Sequence, residues 1–384
     1  MDWYLAEVAL VPVDEIPVED SSLGGILAAY EAIAQTTRDA WRAVNGDDDE
    51  TMTAQDMISN AHDTQWQKLA TIVAVSADLP RPVKLCELGL PLIDRRINLR
   101  PEQILGCALP WLPLQENLDR VELGWNLYVR PEYRRRGIGR ALLEAAETWG
   151  RQHGRSKFIA GSSHRIGDGP DALRPTQGEL AIAPDAGTAF ATSMGYQLAQ
   201  TERHSVQDIT ATNLELARQY APADEAYELH TFVGDTPEQL RPAVIHLHID
   251  MQDAPTGEIE AEAEFWDEAR LQEFEADIGR RSESVTTIAI EKASGEPGGY
   301  THLVRHFSNP NVVYQWDTVV NRAHRGHGLG LSLKATTLLA AHEQWPQAER
   351  IHTWNASEND YMWRVNEKLG YRTSSVEAVW QKQA

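Results

Sequence analysis

Two short segments rich in arginine and glycine contain the residue types that bind an anion. The first is Arg134–Arg140, with the sequence RRRGIGR, and the second is Arg325–Gly330, with the sequence RGHGLG. Glycine lets backbone N–H groups approach a ligand closely, and arginine adds positive charge beside them. These residue types at this spacing predict a phosphate-binding loop at each segment.

Each loop opens a predicted helix. After the first loop, apolar residues recur at helical spacing from Ile138 to Trp149, with mostly charged residues between them. The unpaired N–H groups of a helix's first turn, together with the positive end of its dipole, favour a phosphate. Taken alone, the first loop could equally be a basic turn without a ligand.

The second loop repeats the first about half a chain length later. An apolar strand pattern precedes Arg325 as one precedes Arg134, and a helical pattern follows both loops. Two such loops in the same local order indicate a tandem repeat and favour ligand binding over chance. In the second half the pattern predicts strands at Ser284–Glu291, Gly298–His306 and Val312–Asn321, and a helix at Thr236–Met251 capped by Thr236.

The pattern Arg-x-x-Gly-x-Gly after an apolar strand resembles the acetyl-CoA motif of the GNAT (Gcn5-related N-acetyltransferase) family. The segment TWNASENDYMWRVNEKLGY, which ends at Tyr371, resembles the fifth strand and following helix of that family, and FATSMGY closes the first copy similarly at Tyr196. The whole chain therefore resembles a tandem GNAT protein, of the kind found among actinobacterial two-domain acetyltransferases.

The resemblance implies the fold and the cofactor. We expect an α/β (α+β) chain of two GNAT, or acyl-CoA N-acyltransferase, domains, each a mixed, mostly antiparallel sheet flanked by helices, with limits at 1–205 and 206–384. The implied cofactor is acetyl-CoA (coenzyme A), whose acetyl carbonyl is polarised by a backbone N–H of the fourth strand. The implied cofactor-binding residues are Val129, Arg134, Arg135, Arg136, Gly137, Ile138, Gly139 and Arg140 in the first copy, and Val320, Arg325, Gly326, His327, Gly328, Leu329, Gly330, Asn355 and Asn359 in the second.

The position of the general acid departs from the family pattern in both copies. Family members usually carry a tyrosine four residues before the closing glycine, where this chain has Ala191 and Asn366. Alanine cannot donate a proton, whereas an asparagine can hydrogen-bond a sulfur. The first copy also has Pro184 where the second has Asn359. We therefore expect the second copy to be catalytic, with Asn366 beside the leaving thiol.

The general base is also displaced from its usual place. The fourth-strand position that often carries it holds Leu123 in the first copy and Tyr314 in the second, and neither side chain suits the role. Asp317 and His352 are the candidate substitutes. Asp317 could equally be a structural carboxylate bonded to the backbone or to Arg325. For His352, a packed or solvent-facing histidine is the favoured alternative to a catalytic one.

Composition narrows the class of partner. A formal charge of −22 argues against nucleic acid and favours a cationic, small-molecule amine. The chain contains two cysteines in no metal-ligand spacing, so no metal is expected. We find no membrane-length apolar run and an acidic N-terminus, and we expect a cytoplasmic monomer or homodimer without a membrane partner.

Two functions follow from these residues. The leading hypothesis is an acetyl-CoA-dependent N-acetyltransferase that acts on a primary amine of a small molecule, with the C-terminal domain catalytic. The alternative is a non-catalytic tandem GNAT protein that binds or senses acyl-CoA, since both copies lack the tyrosine.

Overall fold

Two units make up the chain in the computed structural model, which describes residues 2–12, 23–124, 127–253, 255 and 257–384. The first unit comprises Met1–Pro175, Ala181–Gln200 and Glu377–Ala384, and the second comprises Thr176–Leu180 and Thr201–Val376. The domain limits that we propose from the sequence are 1–205 and 206–384. They differ from these units at 176–180 and 201–205, which belong to the second unit, and at Glu377–Ala384, which belongs to the first.

Among the described residues, the first half of the chain has a strand and two helices, then a run of seven strands, and then helices and strands in alternation. The helix predicted after the first loop is confirmed and extends to Gln152. The elements are β1 (Trp3–Val8), α1 (Gly25–Asn45), α2 (Ala54–Asn60), β2 (Gln67–Leu69), β3 (Thr71–Ser76), β4 (Leu92–Ile93), β5 (Ile104–Ala108), β6 (Trp111–Pro113), β7 (Arg120–Gly124), β8 (Leu127–Val129), α3 (Ile138–Gln152), β9 (Lys157–His164), α4 (Ala186–Ser193) and β10 (Gln197–Asp208).

In the strand order that the GNAT resemblance implies, the fourth strand of the first unit consists of two segments, β7 and β8. Strand β7 pairs parallel with β9, the fifth strand, while β8 pairs antiparallel with β5, the third strand. The neighbouring pairs β1/β3 and β3/β5 are antiparallel. The core beneath this sheet packs side chains of α1 against β1 and β3, with Tyr30 and Ile33 of α1 almost fully buried. Burial of one apolar helix face fixes α1 against the sheet.

The second half repeats the arrangement. Its elements are α5 (Ala211–Tyr220), β11 (Tyr227–Val233), α6 (Arg241–Asp250), α7 (Glu268–Gly279), β12 (Ser282–Glu291), β13 (Pro297–His306), β14 (Val312–Val320), α8 (Leu329–Gln344), β15 (Arg350–Ala356), α9 (Asp360–Lys368) and β16 (Arg372–Gln383).

The sheet of the second unit is mixed and mostly antiparallel, as predicted. Its strands follow the order β11-β12-β13-β14-β15-β10, and β14 and β15 form its parallel pair. Helices α6 and α7 pack on one face, against Ile288 and Tyr300, and α8 packs on the other, against Val285 and Leu303. The three predicted strands of this half are confirmed within two residues at either end.

The predicted start of one helix is wrong. Thr236 does not cap a helix, because the N-cap positions of the two helical segments that follow are Pro237 and Leu240. A 3-10 turn at Glu238–Leu240 follows, and α6 begins at Arg241. Pro242, in the first turn of α6, suits a helix start because proline has no N–H to leave unpaired there.

In the part of the chain that the structure describes, no helix combines the length and apolar character needed to span a bilayer. Over the same residues, no group of three or more His, Cys, Asp or Glu side chains is arranged to hold a metal ion.

Candidate active site

The fourth and fifth strands of the second unit run side by side and then part. Their parallel ladder pairs Val312 with Arg350 and ends where Gln315 pairs with Thr353. Immediately after Gln315, the register between β13 and β14 shifts so that Trp316 and Asp317 form a bulge. A gap between two neighbouring strands therefore opens at the bulge, and Asp317 lies at its edge.

Beyond the end of β14, the glycine loop of the second unit has the geometry of an anion site. Gly326 and Gly328 have φ of +93° and +72°, in the left-handed region that favours glycine. A Cβ at either glycine would meet nothing within 4 Å, so the glycines serve the backbone conformation and not close packing. Helix α8 begins next, without a side-chain cap on its first N–H groups. These N–H donors and the helix dipole can hold a phosphate.

The loop of the first unit is built similarly but carries more charge. Gly137 has φ of +83° and precedes α3, which also lacks a side-chain cap. Arg135 has φ of +62° where the second copy has Gly326. Arg136 donates to the Glu132 carbonyl at 3.2 Å. Arg135, Arg136 and Arg140 are exposed around the helix start.

The first arginine of each motif ties its loop to the preceding strand. The Nε of Arg134 donates to the carbonyl of Val129 at 3.0 Å, and the Nε of Arg325 donates to the carbonyl of Val320 at 3.3 Å. The same contact in both copies gives these arginines a structural role that sequence reasoning missed. Since a guanidinium has five N–H donors, this contact leaves donors for a phosphate.

The histidine of the second loop has an acidic partner. Nδ1 of His327 lies 2.8 Å from the Asp224 carboxylate. Both side chains are substantially exposed, so the ion pair contributes little to stability. Its geometric effect is to hold His327 against the ring of Tyr227.

The last glycine of each loop has different surroundings in the two units. A Cβ at Gly139 would lie 3.5 Å from the ring of Phe190 on α4, whereas a Cβ at Gly330 would meet only the side chain of Val320, at 3.7 Å. The ring of Phe190 is half-buried. The ring of Phe190 therefore lies beside the helix start in the first unit.

The three asparagines predicted beside the second gap are connected within the protein. The side chain of Asn359 accepts from the Met362 N–H at 3.2 Å and caps α9. The amide of Asn366 donates to Oδ1 of Asn355 at 2.7 Å. Asn366 is fully buried, and within the described residues its Oδ1 has no hydrogen-bond partner. Asn355 and Asn366 thus link β15 to α9 at the gap, while Asn359 serves mainly as a helix cap.

Asp317 belongs to a buried polar cluster on the α6 side of the sheet. Its carboxylate accepts from the hydroxyl of Tyr300 at 2.8 Å, and that hydroxyl lies 3.3 Å from Nδ1 of His248. Burial raises the pKa of Asp317, although the Tyr300 hydrogen bond opposes this rise. A carboxylate with a raised pKa is a stronger base than an exposed aspartate.

His352 lies in a different buried chain. Its Nδ1 is 2.9 Å from Nε2 of His204, whose Nδ1 is 2.8 Å from the hydroxyl of Ser375. His204 and His352 are both fully buried, and their rings stack. The geometry therefore favours the packed alternative for His352 over a base that must meet a substrate.

A cavity of about 260 Å³ lies under α6 and α7, on the same face as Asp317. Burial lowers the pKa of His248 to about 4 and that of His302 to about 3, so both line the cavity as neutral rings. Nδ1 of His302 lies 3.0 Å from the Thr286 hydroxyl, while its Nε2 is buried and has no hydrogen-bond partner among the described residues. Sequence reasoning missed Tyr300 and His248; the alternation that places Tyr300 and His302 on one face of β13 was the available signal.

Comparisons with known proteins identify the class. A family model described as "Acetyltransferase (GNAT) domain" matches residues 97–174, and one described as "Acetyltransferase (GNAT) family" matches residues 247–371. Together these segments cover just over half of the chain. The chain therefore belongs to the GNAT family, as a tandem protein with two GNAT domains.

Solved structures share the tandem fold. A tandem GNAT protein from the clavulanic acid biosynthesis pathway, determined without acetyl-CoA, aligns with a TM-score of 0.71 and 23% identity over 99% of this chain and 98% of that one. A GCN5-related N-acetyltransferase from Sphaerobacter thermophilus aligns with a TM-score of 0.61 and 14% identity over 100% and 96% of the two chains. At these identities the likeness is one of fold. A search of curated proteins found no significant match.

Proposed function

We propose that this protein is an acetyl-CoA-dependent N-acetyltransferase that acts on a primary amine of a small molecule, and that its C-terminal domain carries the reaction. The observation that carries this proposal is the arrangement in the second unit. An open glycine loop, a gap between β14 and β15, and the Asp317 carboxylate with its raised pKa all lie at the same end of β14.

The loop residues fit a coenzyme A pyrophosphate. Gly326 and Gly328 leave open space in front of the uncapped N-terminus of α8, and Arg325 adds positive charge. We assign the pyrophosphate to Arg325–Gly330, the acetyl carbonyl to the N–H of Val320, and the pantetheine arm to the gap beside Asn355. Bound there, acetyl-CoA supplies an activated acyl thioester.

Asp317 is our choice for the general base. An incoming amine is protonated at neutral pH and must lose a proton before it can attack. Asp317 lies at the bulge where the gap begins, and Tyr300 fixes its carboxylate from one side. Its raised pKa makes it better suited to take that proton than an ordinary aspartate.

The cavity under α6 and α7 is the proposed acceptor pocket. At about 260 Å³ it suits a small molecule and not a polypeptide. Glu275, whose carboxylate accepts from the Thr236 N–H, is among its lining residues and favours a cationic amine. Nε2 of His302 offers one unmatched polar atom to a second group of the acceptor.

A non-catalytic acyl-CoA sensor is the second candidate. The observation that favours it is Asn366, which is fully buried and joined to Asn355 where the family usually has an acidic hydroxyl. Such a protein would bind acetyl-CoA through the same loop without turning it over.

Release of free thiol from acetyl-CoA, measured against a panel of small primary amines, separates the two candidates. The enzyme proposal predicts thiol release that depends on at least one amine, with the acetylated amine recovered as product. Tight coenzyme A binding with no amine-dependent release across the panel would favour the sensor and overturn the enzyme proposal.

A further inference from the structure

The first unit contains a hydrogen-bonded Ser–His–Asp chain beside its own strand gap. The hydroxyl of Ser162 lies 2.6 Å from Nε2 of His164, and Nδ1 of His164 lies 2.8 Å from the Asp185 carboxylate. His164 is 1% exposed, while Asp185 and Ser162 are partly exposed. A nucleophile bonded to a base, which is in turn oriented by a carboxylate, is the arrangement of nucleophilic catalysis.

The two ends of this chain fix its polarity. The indole N–H of Trp380 can only donate, and it donates to the Ser162 oxygen at 2.8 Å. Hydrogen bonds from His164 and from backbone N–H groups outweigh the effect of burial and lower the pKa of Asp185, so its carboxylate is ionised and can only accept. In the neutral form of the His164 imidazole, the proton therefore lies on Nδ1. Its Nε2 is left as an acceptor for the Ser162 hydroxyl.

Ser162 lies where the fifth strand has left the fourth. The ladder between β7 and β9 ends where Gly124 pairs with Ala160, and Ser162 follows two residues later. In the second unit the corresponding ladder ends at Thr353, and Asn355 follows two residues later. Ser162 thus occupies in the first unit the place of the proposed pantetheine contact Asn355. Phe158, on the same face of β9, packs beneath Gly150 of α3.

We propose that Ser162 is a nucleophile that accepts the acyl group of an acyl thioester bound to the first domain. The inference rests on the proposed function, because the thioester is that of acyl-CoA. The Ser162 oxygen forms the new bond to the acyl carbon, and the carbon–sulfur bond breaks. The Ser162 proton passes to Nε2 of His164 and from there to the departing sulfur, which leaves as a free thiol. Asp185 remains ionised throughout and stabilises the imidazolium.

This role accounts for a departure of the first copy from the family pattern. Ala191 replaces the family's proton donor, and His164 supplies the missing proton for the thiol. The resulting serine ester then passes its acyl group to water or to an amine, with His164 as general base for either acceptor.

The test uses the full-length protein and acetyl-CoA without any amine. We expect the intact mass to rise by one acetyl group, peptide mapping to locate it on Ser162, and hydroxylamine to remove it as an ester. Where the ester hydrolyses faster than it forms, steady thiol release independent of amine replaces the mass change. Where it hydrolyses more slowly than it forms, that release begins with a burst of about one thiol per chain. Ser162→Ala abolishes both signals, and His164→Gln slows the burst.

Ser163→Ala is the matched control on the opposite face of the same strand, and it retains the signals. Thermal unfolding of each variant verifies the fold. Neither adduct nor amine-independent release in the wild type, or equal signals in Ser162→Ala, would overturn the proposal. Acetylation of amines is measured separately in the same samples. An adduct on Ser162 without any amine acetylation would then support this inference while the proposed function fails.

Discussion

Asp317 is the proposed general base of the second unit. It lies at a bulge, its side chain is partly buried, and its carboxylate accepts from the hydroxyl of Tyr300. A structural carboxylate and a general base differ in what their removal does, because only the base acts on the amine. The two roles can therefore be separated by kinetics.

Replacing the carboxylate by an amide of the same shape removes the base. We expect Asp317→Asn to lower the rate of amine acetylation by about 10²- to 10⁴-fold while coenzyme A affinity stays unchanged. The rate is measured by thiol release and the affinity by calorimetric titration. Asp360→Asn, at an exposed site on α9, is the control. Normal turnover by Asp317→Asn would remove Asp317 from the mechanism.

Tyr300→Phe tests how the pKa of that base is set. The Tyr300 hydrogen bond lowers the pKa of Asp317, so its loss lets burial raise the pKa further. Since the base acts in its ionised form, the acidic limb of the kcat/KM profile moves to higher pH. Tyr361→Phe, at an exposed site, leaves the profile unchanged. A limb that stays in place, or moves to lower pH, would contradict the assignment.

Lys334 on α8 is a second buried ionisable side chain. It is 2% exposed, its Nζ lies 5.2 Å from the centre of the Tyr371 ring, and burial lowers its pKa to about 7. The equivalent position of the first copy holds the buried Leu143. The folded state therefore binds fewer protons than the unfolded state between about pH 7 and the ordinary lysine pKa of about 10.4, and stability rises with pH across that window.

Lys334→Leu removes this cost. We expect it to raise the free energy of unfolding by a few kcal/mol, on the order set by the pKa shift, at pH 6 and by less at pH 9. Chemical denaturation at both pH values measures the difference. Lys368→Leu, at an exposed site, gives no such pH dependence. An equal gain at both pH values would show that Lys334 titrates normally.

At the scale of the element, the two loops have different residues at an equivalent position of positive φ. Both place a residue in the left-handed region, Gly326 in the second unit and Arg135 in the first. A non-glycine residue costs about 1–2 kcal/mol in that region. The first loop therefore carries a strain that the second avoids, and gains an arginine next to the helix start.

Exchanging the residue types tests this difference. We expect Gly326→Ala to destabilise the second domain by about 1 kcal/mol and to weaken coenzyme A binding, because the loop must leave its open conformation. Arg135→Gly is expected to be neutral or slightly stabilising. Unfolding midpoints and coenzyme A titrations give both quantities. Stabilisation by Gly326→Ala would contradict the positive φ.

The sequence predicted those elements whose pattern is local. The helix after the first loop and strands β12, β13 and β14 were predicted because apolar periodicity and flanking glycines define them. The start of α6 was missed because the segment after Thr236 forms a 3-10 turn at Glu238–Leu240 before the helix begins at Arg241. Tyr300 beside Asp317, and Asp185 beside His164, were missed because strand pairing and loop closure bring together residues that are distant in the sequence.

At the scale of the whole molecule, one repeated fold carries two different sets of polar groups. Both units have a glycine loop at a helix start and a gap between the fourth and fifth strands. The second places Asp317 at its gap, and the first places Ser162 and His164 there. Because we assign cofactor binding to the shared features and chemistry to the differing ones, we expect the two domains to respond separately to mutation.

The most direct test of the central claim compares amine-dependent thiol release by Gly328→Glu and Gly137→Glu. Both changes put a carboxylate and a side chain at a glycine of positive φ in one loop alone, and so block phosphate binding there. We predict that Gly328→Glu abolishes amine-dependent release and that Gly137→Glu leaves it within about two-fold of the wild type. Thermal unfolding of both variants shows whether any loss of activity comes from misfolding. Loss of that activity in Gly137→Glu alone would contradict the assignment of amine acetylation to the C-terminal domain.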